Sequence, residues 1–286
     1  MPEGIVTTAN APVARASLKP PLPGTWTNCL GRRLFRFLAT LRGLGAFALI
    51  TAGVILTRFG RARRVVHPLI VKETARAGTR LLGVFVFLSA ALGLVVIGQT
   101  VSWLTRVGAI EYLGSVMVLV VVRELGPLLT AFLVLARIGT ATVVELGTAR
   151  ATGEVEALEA LGIDPVHYLV VPRVIGMALG VFSLTVYFIL GALVSGYLWA
   201  FIQDVPLLPT EYFRQLTRAL RGLDFAVLAG KTLLFGAIIA VVTCYHGLAQ
   251  PLRLEEVPQA TVSAVAHSVA ACVLLDAAFI VVYLAA

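Results

Sequence analysis

The chain has 286 residues, 59% of them apolar and only 13% charged, with a mean hydropathy of +0.94. A soluble domain is nearer half apolar and a quarter charged, so this composition excludes one and predicts a single integral membrane domain. The net charge of +8 is uneven: residues 1–80 hold thirteen Lys/Arg against two Asp/Glu, a balance of +11, and the remainder holds ten against thirteen, −3. A basic arm can signal nucleic acid. In a membrane protein the positive-inside rule is the better reading, with this end cytoplasmic beside anionic headgroups and no nucleic-acid partner.

Residues 1–25, rich in Pro, Ala, Thr and Gly, read as a disordered leader without the apolar core of a signal peptide. Residues 26–80 read as a cytoplasmic-side amphipathic segment lying in the interface. Within it Gly43–Thr57 is apolar but only fifteen residues long, with Arg42 and Arg58 at its ends. A spanning helix needs about 20 apolar residues, so this stretch suits the interface, and a short re-entrant span is the alternative. Five spans follow, at about residues 81–104, 112–148, 170–202, 223–250 and 260–285. With the N-terminus inside, five spans put the C-terminus on the outer side. Trp103 near the end of span one reads as an interfacial anchor. Gly176 and Gly180 would let another helix approach closely.

Between spans two and three the sequence "ARATGEVEALEALGIDP" predicts a short amphipathic helix within residues 150–162. Val155, Leu158 and Leu161 recur at steps of three; Glu154, Glu156 and Glu159 fall on the other faces. Gly162 suits the C-cap and Pro165 prevents continuation. On these residues alone the helix is either a solvated connector or a docking surface for a partner.

The spans carry charges that need an explanation. "VLVVVRELGPLLT" puts Arg123, Glu124 and the helix-breaker Pro127 into span two; Lys231 lies in span four and Asp276 in span five. A charge in the bilayer core costs about 2.5–3.5 kcal/mol on insertion scales and usually faces a cavity or a partner charge. Two readings are open: an ion-paired cluster that holds the spans together, or the lining of a cavity that meets a lipid headgroup. In the second, Arg123 or Lys231 meets phosphate, Glu124 pairs with Lys231 and weakens the grip, and Pro127 kinks span two beside the cavity. Arg123 and Glu124 are consecutive, hence about 100° apart on the helix, and cannot face the same point. Arg137 and Glu145, lower in span two, read as structural charges that orient the short helix.

"AGKT" at Ala229–Thr232 resembles the end of a phosphate-binding loop, but the required first glycine is Phe225, so no nucleotide site is expected. The three cysteines and four histidines have no metal or redox spacing; no metal or other cofactor is expected on this chain.

The ordered run R-E-L-G-P, E-L-G-T-x-R, E-x-x-A-L-E-x-L-G-I-D-P and V-x-P-R within Val121–Val174, with "KTLLFG" at Lys231–Gly236 and "VSAVAHSVAACVLLDAAFIV" at Val262–Val281, resembles the MlaE/YrbE family. These are permease subunits of ABC-type lipid transporters that work with MCE-domain proteins. The resemblance covers roughly residues 30–286 and departs at Gly153, where a bulkier polar residue is expected, since glycine weakens a helix interior. It implies an all-α permease of five transmembrane helices preceded by an N-terminal interfacial helix, working as a homodimer in a bacterial inner membrane. It also makes the segment at Glu154, Val155, Leu158, Glu159, Leu161 and Gly162 a coupling helix, seated on a separate ATPase subunit that uses the ATP. The implied partners are that ATPase, a small accessory subunit on it, an MCE-domain protein and membrane phospholipid; the chain itself is no enzyme. Without the resemblance, an ion- or proton-coupled secondary transporter and a non-transporting membrane scaffold remain open.

Overall fold

A computed structural model describes residues 26–58, 63–78, 82–202, 209–248 and 253–285, all but a few of them helical and none in a strand. The leader expected to be disordered lies outside the described residues. The chain divides into Met1–Gly43, whose described part is the first half of helix α1 (Trp26–Arg58), and Leu44–Ala286.

Helix α2 (Arg63–Gly78) precedes the first long helix. Among the described residues five helices are long and apolar enough to cross a membrane: α3 (Leu82–Val107), α4 (Ile110–Ala151), α6 (Val166–Ile202), α8 (Gly222–Leu248) and a fifth at Leu254–Tyr283, which holds α9 (Val257–Ala285). The short α5 (Glu154–Ala160) separates α4 from α6, and the amphipathic α7 (Pro209–Ala219) separates α6 from α8. This is a multi-pass membrane protein. The apolar stretch Arg42–Thr57 is too short to be one of the five.

Lipid tails are as apolar as leucine, so these helices gain little by hiding apolar surface from lipid. They associate through close contact and polar pairs. α3 and α6 run side by side in the same direction: Phe85 meets Phe188 edge to face at 6.2 Å, Gly93 faces Ala192 and Ser195, and Gly98 faces Trp199. α6 meets α8 where a Cβ on Gly236 would stand 2.5 Å from the Ala178 Cα, so only glycine allows this approach. The core forms two clusters, one around Met177, Val181, Leu184, Phe188, Phe235 and Ile239 and one around Ile97, Val101, Met117, Val121, Ile189 and Leu193.

α4 has 42 residues. At 1.5 Å each it is about 63 Å long, twice the roughly 30 Å hydrocarbon core, so it extends well beyond the membrane. Its turns widen to i→i+5 spacing at Val118–Leu125 and Leu135–Gly139. Such wide turns are rare and concentrate at functional positions.

Candidate functional site

The first wide turn holds Arg123 and Glu124, and Pro127 follows it. Proline has no N–H to offer the carbonyl four residues earlier, which here belongs to Arg123. The Lys231 ammonium, reaching across from α8, donates to that carbonyl at 2.9 Å. It donates again to Glu124 Oε2 at 3.0 Å and lies 2.6 Å from Asp276 Oδ1 on α9. Lys231 is thus held by three oxygens from two helices, with its side chain 3% exposed. Its aliphatic stem belongs to the apolar bundle and its head to the polar cluster.

Arg123 has separate partners. Its Nη2 lies 2.9 Å from Asp224 Oδ1, and its guanidinium stacks over the Tyr283 ring at 4.2 Å. Asp224 sits in the first turn of α8, where the helix dipole favours a carboxylate, and its Oδ2 accepts the Arg221 N–H at 2.8 Å. The two consecutive charges of α4 therefore serve two tiers. Arg123 joins Asp224 and Tyr283, and Glu124 joins Lys231 and Asp276. Two cations face three carboxylates, so both cations are paired and the cluster is formally negative by one charge. The Arg123 Nε is buried without a hydrogen-bond partner.

A cavity of about 100 Å³ opens onto the cluster, lined by Leu119, Arg123, Glu124, Val227, Phe279 and Tyr283 among others. At roughly 30 Å³ per water it holds a few waters rather than a lipid headgroup. Sequence reasoning grouped Arg123, Glu124, Lys231 and Asp276 but missed Asp224 and Tyr283. The signal for Asp224 was a lone acid in the first turn of a span; Tyr283 carried none.

At the other end of the bundle Glu145 is the hub of a second network. Arg76 of α2 donates to its Oε2 at 2.8 Å, and Arg173 of α6 lies 3.0 Å from its Oε1. The hydrogen bond it donates to Glu145 raises the Arg76 guanidinium above its ordinary pKa. Glu73 completes the ring at 3.9 Å from Arg76 and 4.0 Å from Arg173. α2 is brought there by Gly176, where a Cβ would stand 2.7 Å from the Glu73 Cβ. Arg137 is exposed and forms no ion pair among the described residues, so Glu145 and Arg137 do not act together.

α5 begins after a left-handed turn. Gly153 has φ of 79° and stands just outside the helix, not within its interior as the sequence pattern led us to expect. A bulkier residue would be strained in this conformation. Gly162, with φ of 75°, ends the helix: its N–H meets the Glu159 carbonyl at 2.9 Å and the Ile163 N–H meets the Leu158 carbonyl at 3.0 Å. That is the Schellman arrangement expected of glycine at this position. The apolar residues do not present one outward face. Val155 is buried at 2% exposure, Leu158 is half-buried, and Leu161 is 75% exposed. Each step of three residues turns the helix back by about 60°, so Val155 and Leu161 end up about 120° apart. Val155 packs inward while Leu161 and Ile163, the latter 40% exposed, form the outward tip. Ile163 was not singled out by the sequence pattern, because it lies beyond the helix. Arg150 fastens Glu156 at 3.3 Å and so ties α5 to the end of α4.

The permease MlaE family model matches residues 70–282, a stretch from within α2 into α9 that contains every charged residue of both networks. A probable ABC transporter permease protein of Synechocystis sp. is 35% identical over 206 residues, covering 70% of this chain and 76% of its own length. One from Rickettsia felis is 29% identical over 246 residues, 84% of this chain and 91% of its own. The chloroplastic protein TRIGALACTOSYLDIACYLGLYCEROL 1 of Arabidopsis thaliana is 32% identical over 207 residues. That match covers 72% of this chain and 59% of the Arabidopsis protein, so the chain spans under two thirds of that relative. Because the family model spans residues 70–282, well over half of the chain, the chain belongs to the MlaE permease family.

Proposed function

We propose that the chain is the membrane subunit of an ABC transporter that moves phospholipid, or a related lipid, between a bacterial inner membrane and an MCE-domain partner on the outer side. A separate ATPase subunit, which can carry a small accessory subunit, docks on the α5 tip and hydrolyses the ATP. Two copies of the chain make the transport path, with α5 and the N-terminus cytoplasmic and the C-terminus on the outer side.

The observation that carries this reading is the paired charge cluster inside an otherwise apolar bundle, on a cavity that holds a few waters here and has to widen during transport to admit a lipid phosphate. A lipid phosphate reaching Arg123 has to compete with Asp224, and one reaching Lys231 has to compete with Glu124 and Asp276. Such a site recognises an anionic group weakly, which suits a transporter that must release what it binds. The diacylglycerol glycolipid in the name of the Arabidopsis relative accords with a lipid cargo.

The test is ATP-dependent lipid transfer by the purified complex between donor and acceptor vesicles. Arg123→Ala, Lys231→Ala and Leu161→Asp should all impair transfer, and only Leu161→Asp should release the ATPase. Transfer that continues without ATP would instead identify a secondary carrier. Loss on Leu161→Asp alone, with both cation variants active, would identify a scaffold.

A further inference from the structure

A second concavity lies away from the charged cluster, where α2 crosses α6 and meets the start of α3. It has a volume of about 700 Å³, within the roughly 300–1,000 Å³ typical of small-molecule sites. Ile70, Val71, Leu82, Leu179, Leu184 and Tyr187 form much of its wall. Val71, Leu179 and Tyr187 are 54%, 41% and 56% exposed, so the groove opens sideways from the bundle.

Its depth is fixed by the parallel packing of α3 on α6. Phe85 is level with Phe188, so the first residue of α3, Leu82, lies near Leu184. α3 has 26 residues, about 39 Å at 1.5 Å each, and carries the exposed Trp103 near its far end. A hydrocarbon core of about 30 Å below Trp103 therefore ends near Leu82. The groove straddles that boundary on the α5 side: Leu82, Leu184 and Tyr187 are at the depth of acyl chains, and the α2 residues are at the depth of headgroups. Its polar features are on the α2 side. His67 is exposed and lines the groove, where its ring nitrogens offer a hydrogen-bonding group at headgroup depth.

We propose that this groove is a phospholipid site. One acyl chain from the leaflet on the α5 side lies against Leu184 and Tyr187, and the His67 ring donates a hydrogen bond to an ester or phosphate oxygen of the same lipid. The site is separate from the cavity at Arg123 and does not depend on the transport reading.

The experiment uses the full chain with its native partners, extracted in lipid nanodiscs containing isotope-labelled palmitoyl-oleoyl phosphatidylglycerol. A photoreactive residue replaces Leu179, or Val194 on the same helix as a lipid-facing control that is 54% exposed. After detergent exchange, mass spectrometry should find several-fold more lipid adduct at 179 than at 194. Gly78→Phe, whose Cβ would meet nothing within 4 Å and whose ring enters the groove, should reduce the adduct at 179 to the control level. His67→Ala should lower lipid retention by about 2- to 10-fold, the worth of one hydrogen bond. It is the variant to read if Gly78→Phe does not fold. Equal adducts at 179 and 194 would reduce the groove to ordinary lipid-bathed surface. Adducts between 179 and a second copy of the chain would assign it to a protein interface. Either outcome overturns the proposal.

Discussion

Replacing Lys231 with methionine keeps the bulk of the side chain and removes its charge. The variant leaves the Asp276 carboxylate, whose side chain is 12% exposed, without its cation, and the Glu124 carboxylate, 33% exposed, without its donor. It also strips the Arg123 carbonyl of the donor that reaches it from α8. Breaking a buried pair by deleting one partner costs about 3–5 kcal/mol. Glu124 reaches the cavity and can hydrate, so the lower end, about 3 kcal/mol, applies. At about 2–4 °C per kcal/mol the melting temperature should fall by about 6–12 °C. The assay is tryptophan fluorescence during heating in lipid nanodiscs. A compensated variant, Lys231→Met with Glu124→Gln and Asp276→Asn, removes the orphaned charges and should recover most of the loss. The remaining deficit is the Arg123 carbonyl, about 1 kcal/mol, the lower end for an unmet acceptor, because the adjoining cavity can hydrate it. If Lys231→Met melts within about 2 °C of the parent, or the compensated variant is no more stable than the single one, the cluster does not hold the helices as described.

Leu161→Asp should abolish co-purification of the ATPase without lowering the melting temperature, whereas Val155→Asp, at a buried position, should destabilise α5 itself; both are read by pull-down and thermal scan. Gly176→Leu should push α2 off α6 and cost about 1–3 kcal/mol as overpacking. Glu145→Gln should cost about 3 kcal/mol, because it takes the close carboxylate at 3.0 Å from Arg173, whose side chain is only 7% exposed. Tyr212 of α7 donates its hydroxyl to the Leu193 carbonyl at 3.2 Å, and burial pushes its pKa up to about 12. Its neutral form therefore supports the fold. That contribution is complete below the unfolded value of about 10 and is lost as pH rises through the folded value. Tyr212→Phe should cost about 0.5–1.5 kcal/mol at neutral pH and flatten the alkaline limb of a pH–melting curve.

The membrane spans were legible because the signal for them is local. α3 and α6 are nearly free of charge over their apolar stretches, and no other fold accommodates such runs. The presence of paired intramembrane charges was legible for the same reason, since Arg123 and Lys231 stand out against apolar neighbours. The pairing of Glu124 with Lys231 was legible too, but the acid that serves Arg123 was not. Asp224 lies at a helix start, where an acid needs no special partner, and its role follows only from where α8 meets α4. The docking face of α5 was misread because apolar spacing at threes resembles a stripe over seven residues yet turns through about 120°. Arg76 and Arg173, which bracket Glu145, sit in segments read respectively as interfacial chain and as a family motif without a role. Only the approach of α2 to Gly176 brings them together.

The partners of the α4 charges are widely separated from them along the chain. Glu124 and Lys231 are 107 residues apart, and Asp224 and Asp276 also follow α6. During synthesis α4 therefore enters the bilayer with two ionised groups whose counter-charges have not yet been made. Its long apolar flanks must carry that penalty alone until α8 is inserted. The first three spans are thus an unfinished protein, not an independent half, and a ribosome that stops after α6 leaves a product whose Arg123 and Glu124 have nothing to bind. Quality control in the membrane would meet that product as an exposed polar defect, and release from it comes only with the last two helices.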